Sequence, residues 1–196
     1  MSLRGVGLRG RRSWVRCDPV EASPFFEGWK HCPRCAGVLR IEGKTAECRE
    51  CGRVVYANPA PTATAIVVDD EGRVLLARRA GDPGKGMWDL PGGFVEEGED
   101  PVTTVHRELA EETGLEIEPV EFLGGFADYY GDDGIRTVNL YWTARIVAGE
   151  PSPSDDVAAL EWCDPDELPD EDEFAFPNTV LALRKWLAGV AAKTPE

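Results

Sequence analysis

The chain has 196 residues, 42% of them hydrophobic and 29% charged, the balance of a globular protein of one domain with room for a small appendage. Its 36 acidic residues against 21 basic ones leave a formal charge of -15, a field that argues against nucleic acid and anionic membranes as partners and admits a polyanion only through an intervening cation. No apolar run approaches the roughly 20 residues of a membrane span, and the start lacks the apolar stretch of a secretory signal, so a cytoplasmic location is expected.

Residues 1–25 read as a basic arm and linker, with Arg4, Arg9, Arg11, Arg12 and Arg16 ahead of the first acid, Asp18. Residues 26–57 hold two Cys-x-x-Cys pairs, Cys32/Cys35 in "CPRC" and Cys48/Cys51 in "CREC", separated by twelve residues. In a chain without an export signal this spacing predicts four thiolates closing a tetrahedron around a structural Zn²⁺; paired disulfides and an iron–sulfur site are the alternatives. The segment is too short to build its own core, so the metal is expected to supply most of its folding energy. His31, directly before Cys32, reads as a bystander. Lys30, Arg34, Arg40, Lys44, Arg49 and Arg53 are interleaved with Glu27, Glu42, Glu47 and Glu50, which favours a structural or dimerisation module over a nucleic-acid contact. A homodimer is the corresponding expectation.

Residues 58–196 form the main domain. "TATAIVVDDEGRVLLARR" (62–79) predicts two strands around a turn at 70–72. A Gly/Pro-rich loop follows over 80–93. Its "GDPGKG" lacks the Gly-Lys-Ser/Thr ending of a phosphate-binding loop and reads as flexible. A helix is predicted over 100–113, with Asp100 as cap, Pro101 in the first turn and Gly114 ending it in a left-handed conformation. Strands are expected over 119–130 and 135–147, separated by the acidic turn "GDDG", and a short strand over 159–164. A short helical turn at 164–168 and an amphipathic helix at 176–190 complete the chain. The stretches 149–156 and 164–173 read as surface loops.

The helix over 100–113 carries the chemistry. At about 100° per residue, Val102, Val105 and Leu109 share a core-facing side, while Glu108, Glu111 and Glu112 converge on another. Arg107 stands four residues before Glu111 and can pair with it. Three convergent carboxylates with no interspersed lysine repel one another, and a hard divalent cation, Mg²⁺ or Mn²⁺, removes the conflict. The alternative is an exposed acidic helix with no ligand. For a polyanionic substrate, Arg78 and Arg79 at the end of the second strand are candidate phosphate contacts. Trp88, Phe94, Tyr129 and Tyr130 are candidate stacking partners for a base. Ordinary surface charge and ordinary core aromatics are the competing readings.

Gly93, five residues, Glu99, seven residues, then Arg107-Glu108-Leu109-Ala110-Glu111-Glu112-Thr113-Gly114-Leu115 resembles the signature of the MutT/Nudix hydrolases at every fixed position, within a likeness spanning about residues 59–170. The resemblance implies an α+β fold, an α/β/α sandwich around a mixed sheet, preceded here by a small zinc ribbon. It implies cleavage of the pyrophosphate bond of a nucleoside diphosphate linked to another moiety, with Mg²⁺ or Mn²⁺. Carried over to this chain, the resemblance implies Glu108, Glu111 and Glu112 as metal ligands, with the alternative that one of Glu111 and Glu112 instead assists the attacking water. Arg107 orients the acids, Glu99 pairs with Arg107, and the backbone of Gly92 and Gly93 shapes the loop and offers a Gly93 carbonyl to the metal. A zinc ribbon before such a domain resembles the NADH pyrophosphatase branch, but that branch's Gln-Pro-Trp-Pro-Phe-Pro-x-Ser stretch is missing after Leu115. The implied substrates are of the ADP-ribose, NADH or FAD type. Housecleaning of oxidised nucleoside triphosphates and a non-catalytic nucleotide sensor are the alternatives.

Overall fold

The computed structural model describes residues 22–131 and 134–193. The basic arm up to residue 21, and Asp132 and Asp133 of the acidic turn, lie outside the described residues. The chain divides into two units, Met1–Asn58 and Pro59–Glu196. No described helix is long and apolar enough to cross a membrane.

The first unit opens with a single 3-10 turn, Pro24–Phe26, whose cap Ser23 accepts from Phe25 N. A three-stranded antiparallel sheet follows: β1 (Leu39–Glu42), β2 (Thr45–Cys48) and β3 (Val54–Tyr56). Both Cys-x-x-Cys pairs fold into the same turn. Ala36 N donates to Cys32 O at 2.9 Å, and Gly52 N donates to Cys48 O at 3.0 Å. The four sulfurs meet, with Cys32 3.8 Å from Cys51 and Cys35 3.5 Å from Cys48. A disulfide would need about 2.05 Å. A tetrahedral ion with metal–sulfur bonds of about 2.3 Å sets sulfurs about 3.8 Å apart, so the cluster fits a four-thiolate zinc site. The Arg34 amide, donating to Cys32 Sγ at 3.4 Å, helps draw that thiol down to about 7. The Gly37 amide also pulls on Cys35, but the Cys51 and Cys48 sulfurs outweigh it and push Cys35 up to about 12. Four thiols this close cannot all ionise without a cation among them.

The second unit is built on β4 (Ala60–Val68), β5 (Val74–Arg79), β6 (Trp88–Asp89), β7 (Gly92–Phe94), α1 (Pro101–Thr113), β8 (Glu116–Tyr130), β9 (Ile135–Ala148), β10 (Val157–Cys163) and α2 (Pro177–Lys193). The sheet runs β10-β5-β4-β9-β8, with β6 beside β5 and β7 beside β4. The β4–β9 pair is parallel and the others antiparallel, so the sheet is mixed. Strand alternation sorts the core onto two faces. Ala63, Ala65 and Val67 of β4 pack with Val105 and Leu109 of α1, while Ile66 packs with Leu183 and Trp186 of α2. Both faces of β4 are covered, which is why its sequence reads as a nearly unbroken apolar run.

Asp100 caps α1, accepting from Val102 N at 3.0 Å and Thr103 N at 3.1 Å, and Gly114 closes it at φ 70°. Val102, expected in the core, is exposed; Thr104 and Thr113 are buried instead, beside Val105 and Leu109. The segment 164–168 is a simple turn, with Glu167 N donating to Asp164 O, and not helical; a 3-10 turn occurs just after it at Glu171–Glu173. The strand expected from residue 119 begins at Glu116.

One departure positions the site. β4 and β5 pair only at Val68↔Val74, beside their turn, and then diverge. The expected loop over 80–93 supplies two short strands to the gap, β6 on β5 and β7 on β4. The strands splay open into a cleft whose edge is the backbone of Gly92 and Gly93.

Candidate active site

β7 and α1 are tied together across that edge. Gly92 N donates to Glu112 Oε2 at 2.8 Å, and Ala63 pairs with Gly93 in the β4–β7 register. Gly92 has φ +149°, and a Cβ there would fall 2.4 Å from Ala63 O and 2.6 Å from Thr64 Cα. Those are backbone atoms of a central strand and cannot yield. Gly92→Ala is therefore expected to cost at least about 1–3 kcal/mol in a thermal melt. A melting point equal to the parent's would contradict this account. At Gly93 a Cβ would meet the Glu108 carboxylate, at 2.3 Å from Oε1, so this glycine is the space in which Glu108 sits.

Arg107 organises the acids. Its Nε donates to Glu99 Oε1 at 2.9 Å and its Nη2 to Glu99 Oε2 at 3.0 Å, a bidentate pair. Nη1 reaches Glu108 Oε1 at 2.8 Å and Glu111 Oε2 at 3.1 Å, and Nη2 also reaches Phe94 O at 3.2 Å. The guanidinium, helped by the Thr104 hydroxyl at 2.7 Å, holds the Glu99 carboxyl down at about 2 against an ordinary 4.5. A depressed carboxylate contributes stability that is complete above pH 4.5 and lost as pH falls toward 2. Glu99→Gln should therefore melt below the parent at neutral pH, with the gap closing in acid; a gap independent of pH would contradict the pairing.

Glu108 and Glu112 line a cleft of about 270 Å³. Burial pushes the Glu108 carboxyl up, against the pull of Arg107. Glu112 is 6% exposed, and burial, opposed by the Gly92 amide and reinforced by the charges of Asp156 and Glu108, pushes it up to about 9. A buried acid that cannot ionise beside two other acids is the donor environment that a hard cation relieves. Glu111 does not line the cleft; its side chain is 50% exposed and turned to Arg107. Among the described residues the four cysteines form a group of three or more potential ligands whose atoms all lie within 4.8 Å of one another. The three glutamates do not: Arg107 Nη1 takes Glu108 and Glu111, while Glu112 turns to Gly92 N.

Of the other sequence candidates, Gly93, Arg79, Phe94, Tyr129 and Tyr130 line the cleft. Trp88 does not: it is 6% exposed within the core against α2. Arg78 lies with its guanidinium 3.9 Å over the Trp88 ring and donates to Gly86 O at 2.6 Å, also outside the cleft. Sequence reasoning missed Asp89, Asp156 and Phe176, which line the same space, and the polar floor formed by Thr62, Asn139 and Tyr141. Thr62 Oγ1 donates to Asn139 Oδ1 at 2.6 Å, and the Tyr141 hydroxyl donates to Asn178 Oδ1. Asp156 sits in a stretch that composition marks only as a surface loop.

The NUDIX domain family matches residues 58–183. The chain belongs to the Nudix family. This Nudix chain is 34% identical over 115 residues to an ADP-ribose pyrophosphatase of Methanocaldococcus jannaschii, a match covering 59% of this chain and 68% of that one. It is 29% identical over 148 residues to the NAD-capped RNA hydrolase NudC of Chromobacterium violaceum, covering 74% of this chain and 54% of the relative. This chain thus spans between about half and two thirds of the length of these two relatives. The crystal structure of a NUDIX hydrolase from Nitrosomonas europaea superposes with a TM-score of 0.69 at 25% identity, covering 85% of this chain and 94% of the other. Family and relatives together support a nucleotide pyrophosphohydrolase, and Nudix hydrolases use divalent metals.

Proposed function

We propose that this chain hydrolyses the pyrophosphate bond of a nucleoside diphosphate linked to another moiety, with ADP-ribose as the leading substrate and NADH and FAD in the same class. The observation that carries this reading is the pairing, in one cleft, of half-buried Glu108 and buried Glu112 with the Arg79 guanidinium and an aromatic wall. Carboxylates suit a hard cation, a guanidinium suits phosphate, and stacked rings suit a base.

Glu108, Glu111 and Glu112, with the Gly93 carbonyl, are the residues that would hold Mg²⁺ or Mn²⁺; Asp156, beside Glu112, joins them as a candidate. Bound there, the cation neutralises phosphate charge and lowers the pKa of a water. Glu112 lines the cleft and Glu111 does not, which favours Glu112 as the group that takes the proton of the attacking water. Arg107 keeps Glu108 and Glu111 oriented and is itself clamped by Glu99. Arg79 meets a phosphate, and Phe94, Tyr129 and Tyr130 receive the base. The cysteine cluster is assigned to residues 26–57 as a zinc ribbon, ahead of a hydrolase domain over 58–196. A panel of ADP-ribose, NADH, FAD and 8-oxo-dGTP, each with Mg²⁺ or Mn²⁺ and with chromatographic identification of products, tests the activity. Release of AMP from ADP-ribose is expected. No turnover of any member with either metal would sink the proposal, and preference for 8-oxo-dGTP would replace it with housecleaning.

A further inference from the structure

Asp89 is a carboxylate that this hydrolytic reading leaves without a task. It ends β6 in the wall of the cleft, its side chain 14% exposed. Oδ1 accepts from Thr179 Oγ1 at 2.7 Å and from Leu90 N at 2.8 Å, while Oδ2 faces Arg79 Nη1 at 3.5 Å. Burial raises its carboxyl, with the Thr179 hydroxyl, the Leu90 amide and the Arg79 charge pulling the other way.

Arg79 is held from several sides. Its Nε donates to Pro83 O at 2.7 Å, its Nη2 stands 3.8 Å from Asp156 Oδ2, and its guanidinium lies 5.2 Å over the Phe176 ring. Phe176 stacks on Tyr130 with centroids 5.7 Å apart and planes at 24°, and Tyr130 meets Phe94 edge-on at 5.1 Å. The segment carrying Phe176 is tied back to β6 by Ala175 N, which donates to Trp88 O at 2.9 Å. A free arginine side chain loses rotamer entropy when a ligand fixes it. An anion placed behind the guanidinium, on the strand from which the wall rises, removes that cost before substrate arrives.

We propose that Asp89 is a positioning residue: by binding Arg79 on one side and the Thr179 hydroxyl of α2 on the other, it holds the guanidinium and the Phe176–Tyr130 stack as one preformed wall for the phosphate and base of the substrate. This rests on reading the cleft as the nucleotide site. Asp89 acts through Arg79: its carboxylate bonds to Thr179, Leu90 and Arg79, none of them a proposed metal ligand. Its loss therefore falls on ground-state binding and not on the chemical step.

The experiment is a double-mutant cycle on the full chain, with ADP-ribose and Mg²⁺ for KM and kcat, and calorimetric AMP binding as a readout independent of turnover. Asp89→Asn keeps an acceptor for Thr179 and Leu90 and removes the charge facing Arg79. It is expected to raise KM and the AMP Kd about tenfold, with kcat within about threefold of the parent. In an Arg79→Ala background the same substitution should add less than about twofold, because the residue through which it acts is gone. Thr179→Val, which frees one side of the carboxylate, should move KM in the same direction and serves if Asp89→Asn does not fold. A full additional effect of Asp89→Asn on top of Arg79→Ala, or a fall confined to kcat, would overturn the positioning role. Arg79→Ala with unchanged AMP binding would overturn both this role and the reading of the cleft as the nucleotide site.

Discussion

Removing zinc should unfold the first unit and leave the second standing. Among the described residues of the first unit, the buried hydrophobic side chains are Phe26, Cys32, Ala46 and Cys48, and two of those four are ligands of the proposed ion. Three strands of three or four residues over so small a core cannot offset the entropy of ordering the chain. Zinc bound to comparable four-ligand modules contributes about 10–16 kcal/mol, more than any side-chain contact present here could replace. The second unit has two apolar clusters of its own, one against each helix. Native protein should hold about one zinc per chain. A strong chelator at neutral pH should expose the region before Asn58 to protease while the region after Pro59 stays intact. Cys48→Ser should reproduce the effect without chelator, since Cys48 is buried and its sulfur faces Cys35 at 3.5 Å. Zinc-free native protein, or a protease pattern blind to chelator, would refute the assignment.

How far the sequence reaches depends on the range over which each feature is determined. α1 was legible because its signals are local: an aspartate that caps, a proline in the first turn and a glycine that turns left-handed lie within one short stretch. The Glu99–Arg107 pair was legible only through the family resemblance, because Glu99 precedes α1 and helix spacing does not reach it. β6 and β7 were not, because strands of two and three residues are too short to show a period, and Gly92 and Gly93 bring no side chain to mark one. Arg78 and Arg79 are indistinguishable in sequence, yet neighbours on a strand point to opposite faces, so one enters the cleft and the other covers Trp88. Trp88 shows the same limit: a large aromatic before a Pro-Gly-Gly turn suits a stacking wall or a core, and only the packing of α2 against it decides for the core. Asp156 and Phe176 reach the cleft from segments far along the chain, where composition signals only a loop and a helix start. Val102 faces outward because the buried side of α1 runs through Thr104, Val105 and Leu109.

Glu112→Gln should abolish most turnover while making the metal-free protein more stable. The catalytic part follows from the loss of an ionisable group where the proton of the attacking water is to go, an effect of about 10²–10⁴-fold in kcat. The stability part follows from linkage. In the folded chain Glu112 is pushed up to about 9 from 4.5, so between those values the folded state holds a proton that the unfolded state has released. Stability of the metal-free protein is then greatest below pH 4.5, falls steadily as pH rises through the window, and levels off above about 9. At pH 7 the accumulated cost is on the order of 3 kcal/mol. A glutamine can still accept from Gly92 N and can donate to Asp156, so it keeps the local bonding and removes the titration. In chelator, Glu112→Gln should melt above the parent at pH 7, and its melting point should lose the downward slope between pH 5 and 9. Adding Mg²⁺ should reverse the order, because a cation stabilises the parent by drawing the proton off Glu112 and has less to bind in the variant. Parent-like turnover in the variant would remove Glu112 from the chemistry. Equal melting curves in chelator across this pH range would show that the carboxyl is not held protonated by its burial, and the case for a cation beside it would lose its physical basis.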